Sequence, residues 1–122
     1  MAILSTHTLD SVSGNSATNV RVQLFRMLGD CKRELVLDSR TNQEGRLSET
    51  FESGGAVREE YELIFHSGDY FGEQNLQEVS PVMDSVVIRL NVSDFKRRYH
   101  IPLLIAPHSY TVWWTGNPDK LA

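Results

Sequence analysis

Short segments in which apolar and polar residues alternate recur along the chain. In the clearest of them, Val20, Val22 and Leu24 alternate with Arg21 and Gln23. Alternation with a period of two places one set of side chains against a core and the other in water, which predicts a β-strand. Turn-forming residues separate these segments from one another. The segments predicted to be strands are residues 3–9, 20–26, 33–39, 46–51, 59–66, 86–92, 100–106 and 109–116.

One segment, residues 68–77, lacks the alternation and contains Glu, Gln and Leu, which a helix tolerates. It predicts one short helix, with Asp69 as its N-cap. About eight strands and one helix within a single domain, residues 1–122, favour two packed antiparallel sheets over a closed barrel. The predicted fold class is therefore an all-β, two-sheet β-sandwich. Pro102 has no N–H group, so its nitrogen is expected to face a sheet edge or a bulge.

The composition limits the classes of function. The chain has 122 residues, of which 40% are hydrophobic and 23% charged, which is globular rather than disordered or membrane-protein composition. A formal net charge of −4 disfavours nucleic-acid binding, because phosphates must be met by a surplus of Lys and Arg. The only basic run, Lys96-Arg97-Arg98, is predicted to be a solvated loop.

Histidine and cysteine offer candidate chemistry, but their spacing does not indicate a metal site. The four histidines, His7, His66, His100 and His108, match no ligand motif such as HExxH, and Cys31 is the single cysteine. We therefore predict no metal and no intrachain disulfide. With no export signal visible at the N-terminus, we expect a cytoplasmic protein. Taken one at a time, the histidines have structural explanations.

The last predicted strand contains three consecutive large apolar residues, Val112, Trp113 and Trp114. Neighbouring residues of a strand point to opposite faces, so at least one indole must lie on the face opposite the core. A monomer would leave that ring in water, and such exposure usually marks an interface or a ligand site. We therefore expect an oligomer.

Several motifs resemble one known family over nearly the whole chain. STHTLD (residues 5–10) is similar to its opening THxLD, and TNQEGR (41–46) to its TNxDGR. FHSGDYF (65–71) resembles the strand that runs into its short helix. YHIPLLIAPHSY (99–110) is close to YHxPLLLSPxxY, the most specific of the matches. On these motifs the chain is identified as a member of the transthyretin-like family, in the branch of the 5-hydroxyisourate hydrolases.

This resemblance implies both an assembly and a reaction. The assembly is a homotetramer, in which dimers form by continuing sheets edge to edge and two dimers stack face to face. His7, Arg46 and His100 are implied to line the central channel as catalytic residues. The substrate would be a small planar purine derivative whose cyclic amide is opened by water. The histidines would move protons and Arg46 would hold the ring oxygens, without metal or organic cofactor.

The end of the chain departs from the family. Its hydrolases end in a YRGS tail, and the corresponding positions here hold Trp113, Trp114, Thr115 and Gly116. We predict that Trp113, Trp114 and Thr115 contact the substrate. Two alternatives stay open at this point. One is an enzyme acting on a different flat heterocyclic substrate, and the other is a noncatalytic binder of small molecules.

Overall fold

The computed structural model describes residues 1–74 and 82–116, which form eight strands and one short helix. The first four-stranded sheet has the order β4-β1-β7-β8, and the second has the order β3-β2-β5-β6. The bounds of the elements are β1 Ala2–Asp10, β2 Arg21–Gly29, β3 Lys32–Arg40, β4 Arg46–Phe51, β5 Glu59–Phe65, α1 Ser67–Glu73, β6 Val86–Val92, β7 Arg98–Ala106 and β8 Ser109–Val112.

The two-sheet sandwich predicted from the alternation is confirmed, with a strand in every segment that the pattern indicated. One pairing differs from the rest. Strands β1 and β7 run parallel, from Ile3 opposite Arg98 to Asp10 opposite Ile105, whereas the other pairs are antiparallel. Because β1 and β7 are the two central strands of the first sheet, this parallel register fixes which of their residues lie side by side.

The core lies between the two sheets. Val20, Val22 and Leu24 are buried there, as their alternation predicts. The exception is β3, where the register shifts so that Leu24 pairs with Leu37 but the next residue pairs with Leu35. This bulge leaves Leu35 half-exposed. The other large, fully buried side chains are Leu4, Tyr61, Leu63, Phe65, Phe71, Val86, Ile101, Leu103 and Ile105.

The helix begins earlier than the sequence indicates. Helix α1 spans Ser67–Glu73 with His66 at the N-cap position, so the prediction of Asp69 as N-cap is wrong. The physical reason is burial, because Ser67, Tyr70 and Phe71 form a stripe at helical spacing that must face the core. The predicted helical residues 75–77 lie outside the described residues. No helix of the described residues is long and apolar enough to cross a membrane.

Pro102 explains where β8 ends. The Trp113 N–H donates to the Pro102 carbonyl at 3.2 Å, but proline has no N–H to give back, and regular pairing stops at Val112. One step further, His100 and Thr115 exchange two backbone hydrogen bonds of 3.1 and 2.9 Å. The nitrogen of Pro102 thus faces a break in the ladder, and only the first half of the predicted strand 109–116 is regular.

Candidate active site

Strand register brings His7, Arg46 and His100 to one face of the first sheet. His7 of β1 lies directly opposite Arg46 of β4, and Ser5 of β1 lies directly opposite His100 of β7. Paired residues of neighbouring strands project to the same side, and so do residues two apart on one strand. The core-facing positions of β1 alternate with these, since Leu4 is buried between the sheets. The three predicted residues therefore share the outer face of the sheet.

A tight turn sets the position of Arg46. The Asn42 Oδ1 atom accepts hydrogen bonds from the backbone N–H groups of Glu44 and Arg46, at 2.9 and 3.0 Å. Gly45 has a φ of 72°, and its carbonyl accepts the Thr8 N–H at 2.8 Å. A Cβ atom at position 45 would lie 2.4 Å from the Thr8 carbonyl oxygen. Glycine thus lets the turn approach β1 and start β4 in register.

Ser5 holds the ring of His100. The Ser5 Oγ atom lies 2.8 Å from His100 Nδ1, and Ser5 is only 4% exposed. Among the described residues Nε2 of His100 has no hydrogen-bond partner, so it is the ring nitrogen left for a ligand or water. Ser5 is not among the residues predicted from the sequence. The available signal was its place two residues before His7, on the same face of a predicted strand.

A cavity of about 180 Å³ opens beside this pair. Of the three predicted catalytic residues, Arg46 and His100 line it, while His7 flanks it as the cross-strand neighbour of Arg46. Its remaining walls come from β1, β4, the turn before β4 and Arg98 at the start of β7. The complete lining is Ser5, Thr6, Asn42, Arg46, Leu47, Ser48, Arg98 and His100.

The charges around the cavity all have one sign. Within residues 1–74 and 82–116, no carboxylate lies within salt-bridge distance of Arg46 or Arg98. Burial lowers the pKa of His100, and the charges of Arg46, Arg98 and His7 lower it further, while hydrogen bonding to Ser5 offsets part of the shift. His100 is therefore neutral at pH 7 and can accept a proton. The guanidinium groups favour a ligand with negative charge.

The basic run is not the solvated loop that the sequence predicts. Strand β7 begins at Arg98, whose side chain lines the cavity. The guanidinium of Arg97 lies over the rings of Tyr99 and Trp114, at 5.5 and 5.1 Å from their centres. Only Lys96 is an exposed turn residue. The prediction is wrong because the run of positive charge hides the alternation that continues from Arg98 to His100.

The three residues predicted to contact substrate, Trp113, Trp114 and Thr115, lie on different faces of the first sheet. The indole of Trp114 stacks on Tyr99, with ring centres 6.1 Å apart and an angle of 27° between the planes. Tyr99 points to the face opposite His100, so Trp114 lies away from the candidate site. Thr115 pairs with His100 and, with Trp113, occupies alternate positions of the His100 face. None of the three lines the cavity in this single chain.

The remaining histidines and the cysteine lie elsewhere. His66 Nε2 is 2.7 Å from Gln23 Oε1 on the second sheet, while His108 and Cys31 occupy exposed turns. No group of three or more His, Cys, Asp or Glu side chains suited to a metal occurs in the part of the chain that the structure describes.

Comparison with known proteins places the chain in a family. Residues 4–114 match the HIUase/Transthyretin family. The chain belongs to this family, which confirms the resemblance seen in its motifs. The 5-hydroxyisourate hydrolase of Deinococcus radiodurans is 39% identical over 111 residues, which cover 90% of this chain and 92% of that protein. The 5-hydroxyisourate hydrolase 2 of Rhizobium meliloti is 35% identical over 112 residues, with the same coverage of 90% and 92%.

Solved structures agree with this assignment. The structure of Klebsiella pneumoniae 5-hydroxyisourate hydrolase superposes with a TM-score of 0.73 at 29% identity, covering 94% of this chain and 99% of that chain. A crystal structure of (S)-allantoin synthase gives a TM-score of 0.71 at 28% identity, covering 93% of this chain and 43% of that chain. The match to the family ends at Trp114, so Thr115 and Gly116 lie beyond it.

Proposed function

We propose that this chain is a hydrolase that opens the cyclic amide of 5-hydroxyisourate. The relatives named above support the substrate and the reaction class. The observation that carries the proposal in this chain is the convergence of His7, Arg46 and His100 on one sheet face beside a cavity. These residues are 39 or more positions apart in sequence. The register of three neighbouring strands brings them together.

His100 supplies the base in the proposed reaction. Its depressed pKa keeps the imidazole neutral, and the contact of Nδ1 with Ser5 leaves Nε2 to face water. A water molecule gives a proton to Nε2 as its oxygen bonds to the amide carbon. The carbon–nitrogen bond then breaks, and a proton passes from an imidazolium to the leaving nitrogen. His7 is the second proton carrier in this scheme.

Arg46 opposes the negative charge that forms on the carbonyl oxygen during attack. Its guanidinium is always protonated and presents several N–H donors in one plane, which suits the oxygens of a flat ring. The absence of a carboxylate partner among the described residues leaves those donors available. Groups of this kind contribute roughly a hundredfold or more in rate.

We further propose that the working form is a homotetramer, a dimer of dimers. Residues of the edge strands β6 and β8 line one cavity, so these two edges lie at the same side of the sandwich. This second cavity has a volume of about 260 Å³ and mainly apolar walls that include Ile88, Val112 and both tryptophans. Trp113 and Trp114 are 43% and 52% exposed in the single chain. A partner that extends both sheets would cover these surfaces.

The oligomer is tested by light scattering on the purified chain. We expect a mass of about four times the 13.9 kDa of one chain. A mass equal to that of one chain across working concentrations would contradict the tetramer. Trp113→Ser and Trp114→Ser, combined, are expected to shift the mass towards smaller species.

The departure of the tail from YRGS supports a second candidate, a binder of flat molecules or an enzyme with a different flat substrate. The specific observation is that Trp113 and Thr115 stand on the His100 face without lining the cavity. In this candidate, 5-hydroxyisourate is not turned over, and flat aromatic compounds quench the tryptophan fluorescence.

The hydrolase is tested by following the absorbance of freshly generated 5-hydroxyisourate, which also decays unaided in water. We expect faster decay with the wild-type protein, and loss of that acceleration in His7→Ala, Arg46→Ala and His100→Ala. Circular dichroism establishes that each variant is folded. Equal decay with and without wild-type protein would refute the proposed hydrolase and leave the second candidate.

A further inference from the structure

Arg98 is a cation of the candidate site that the scheme above does not use. It begins β7, two residues before His100, and lies opposite Ile3 on β1. Its side chain is half-buried and lines the same cavity as Arg46 and His100. No hydrogen bond or ion pair joins the Arg98 guanidinium to another side chain among residues 1–74 and 82–116.

The register places the two arginines at opposite corners of the cavity. Arg46 pairs with His7 and Arg98 pairs with Ile3, and those partners are four residues apart on β1. Four residues of strand span about 13 Å, and the two strand spacings from β4 to β7 add about 10 Å at right angles. His100 lies between the corners. The long arginine side chains reach the cavity from both ends of this diagonal.

The positive charges of Arg46 and Arg98, placed around one cavity, repel each other. Nothing in the described residues offsets this charge, because no carboxylate reaches either arginine. Like charges held together lower stability, and an anion placed between them removes the repulsion. The arrangement thus favours a ligand that carries negative charge and has acceptor atoms at two separated edges.

We propose that Arg98 is a second substrate-binding cation, so that the cavity takes a flat heterocyclic anion with one acceptor edge at Arg46 and the other at Arg98. The identity of the substrate rests on the proposed function, whereas binding of the anion does not. Arg98 also contributes to the neutral state of His100, since its charge lowers the pKa of that imidazole.

The first test measures steady-state kinetics with 5-hydroxyisourate. Arg98→Gln removes the charge and keeps a polar side chain, and we expect KM to rise about tenfold, the loss of one ordinary charged contact. The expected change in kcat is smaller. Arg98→Lys is expected to recover most of the affinity. The matched control is Lys96→Gln, which removes the same charge from the exposed turn two residues away.

The second test measures binding without turnover. Urate, a flat purine that is an anion at neutral pH, is titrated calorimetrically into the wild-type protein, Arg98→Gln and Lys96→Gln. We expect Arg98→Gln to weaken urate binding about tenfold and Lys96→Gln to leave it unchanged. This readout is independent of hydrolysis. If no form turns over 5-hydroxyisourate but Arg98→Gln still weakens urate binding, the hydrolase fails and the anion site stands.

The third test separates a binding role from a purely structural one. The groups that face His100 are His7 from β1, Arg46 from β4 and Arg98 from its own strand, while Thr115 contributes no charge. Removing one cation raises the pKa of His100, so the acid limb of the kcat/KM profile should move to higher pH in Arg98→Gln. Arg98→Lys should leave the limb in place. Equal KM and equal urate affinity in wild type and Arg98→Gln would overturn the proposal, as would equal losses in Lys96→Gln.

Discussion

Arginine occupies two very different settings on the two sheets. On the second sheet, Arg26 of β2 is 14% exposed and is surrounded by acceptors. It forms ion pairs with Glu34 and Glu59, hydrogen bonds with Tyr61 Oη at 3.3 Å, and donates to the Glu52 carbonyl at 2.6 Å. On the first sheet, Arg46 and Arg98 border an open cavity without a carboxylate partner among the described residues.

The cluster around Arg26 is fully paired. Burial alone would raise the pKa of Glu59, but hydrogen bonds from Gly54, Tyr61 and Ala56 and the charge of Arg26 lower it. Burial and the bond to Glu59 raise the pKa of Tyr61 to about 12. Every charge of this cluster therefore has a partner within the chain, as a buried charge requires.

The two settings distinguish a structural charge from a functional one in this fold. A buried arginine with carboxylate and carbonyl partners contributes to the fold and has no donors left for a ligand. An arginine that faces only histidine and solvent keeps N–H donors free, and a ligand can accept hydrogen bonds from them. A flat anion would supply the acceptor atoms that Arg46 and Arg98 lack within the chain.

The largest expected effect breaks the paired cluster. Glu59→Ala removes the buried carboxylate that pairs with Arg26 and leaves the Gly54 and Tyr61 donors without their acceptor. We expect the free energy of unfolding to fall by about 3–5 kcal/mol, measured by urea denaturation. The control is Glu60→Ala, at the neighbouring exposed position, with an expected change within about 0.5 kcal/mol. Equal losses in both variants would contradict the structural role of the cluster.

The second prediction removes an arginine from the other sheet. Arg46→Ala should lower kcat/KM for 5-hydroxyisourate roughly a hundredfold, because the oxyanion loses its donors. Its free energy of unfolding should stay equal to that of the wild type or rise, since like-charge repulsion is relieved. Arg40→Ala, at an exposed arginine of β3, is the matched control for activity. Destabilisation of Arg46→Ala as large as that of Glu59→Ala would erase the contrast between the two sheets.

The third prediction concerns the contact that orients His100. Ser5→Ala removes the hydroxyl that lies 2.8 Å from Nδ1, and the ring then gains rotational freedom. We expect kcat to fall about tenfold with a smaller change in KM, in line with the loss of a general base held in position. Ser5→Thr keeps the hydroxyl and should restore kcat. A change in KM alone would show that Ser5 contacts substrate instead of positioning His100.

The smallest expected effect is on stability as a function of pH. The pKa of His100 is lower in the folded chain than its usual 6.5, so below that pH the unfolded chain binds a proton that the folded chain does not. Stability attributed to this group is therefore present above about pH 6.5 and declines as pH falls. Relative to His100→Gln, the wild type should lose unfolding free energy between pH 7.5 and 5.5. His108→Gln, in an exposed turn, should follow the wild type.

Much of the fold could be predicted because alternation reports directly on burial. Val20, Val22 and Leu24 show this, and even the weakly signalled strand β4 was located. The start of α1 could not be predicted, since it depends on Ser67 and Tyr70 packing against strands far away in sequence. Tyr70 also donates to Asp10 at 2.9 Å across 60 residues. The parallel pairing of β1 with β7 likewise has no local signature.

The candidate site was predicted only in part. Periodicity gave no reason to join His7, Arg46 and His100, and the family resemblance was needed to do so. Arg98 belongs to a run of three basic residues that the sequence predicts to be a solvated loop. Once β1 and β7 are known to pair, alternation alone places Ser5 beside His7 and Arg98 beside His100 on one face. The missing information was therefore the pairing of strands, not the chemistry of the residues.

The most direct test of the account compares the decay of 5-hydroxyisourate with wild-type protein and with the Arg46→Ala/His100→Ala double variant at equal concentrations of folded protein. We expect acceleration in proportion to wild-type concentration and decay at the unaided rate with the double variant. Equal acceleration by both proteins would contradict it, because catalysis would then reside outside the face where β4, β1 and β7 meet.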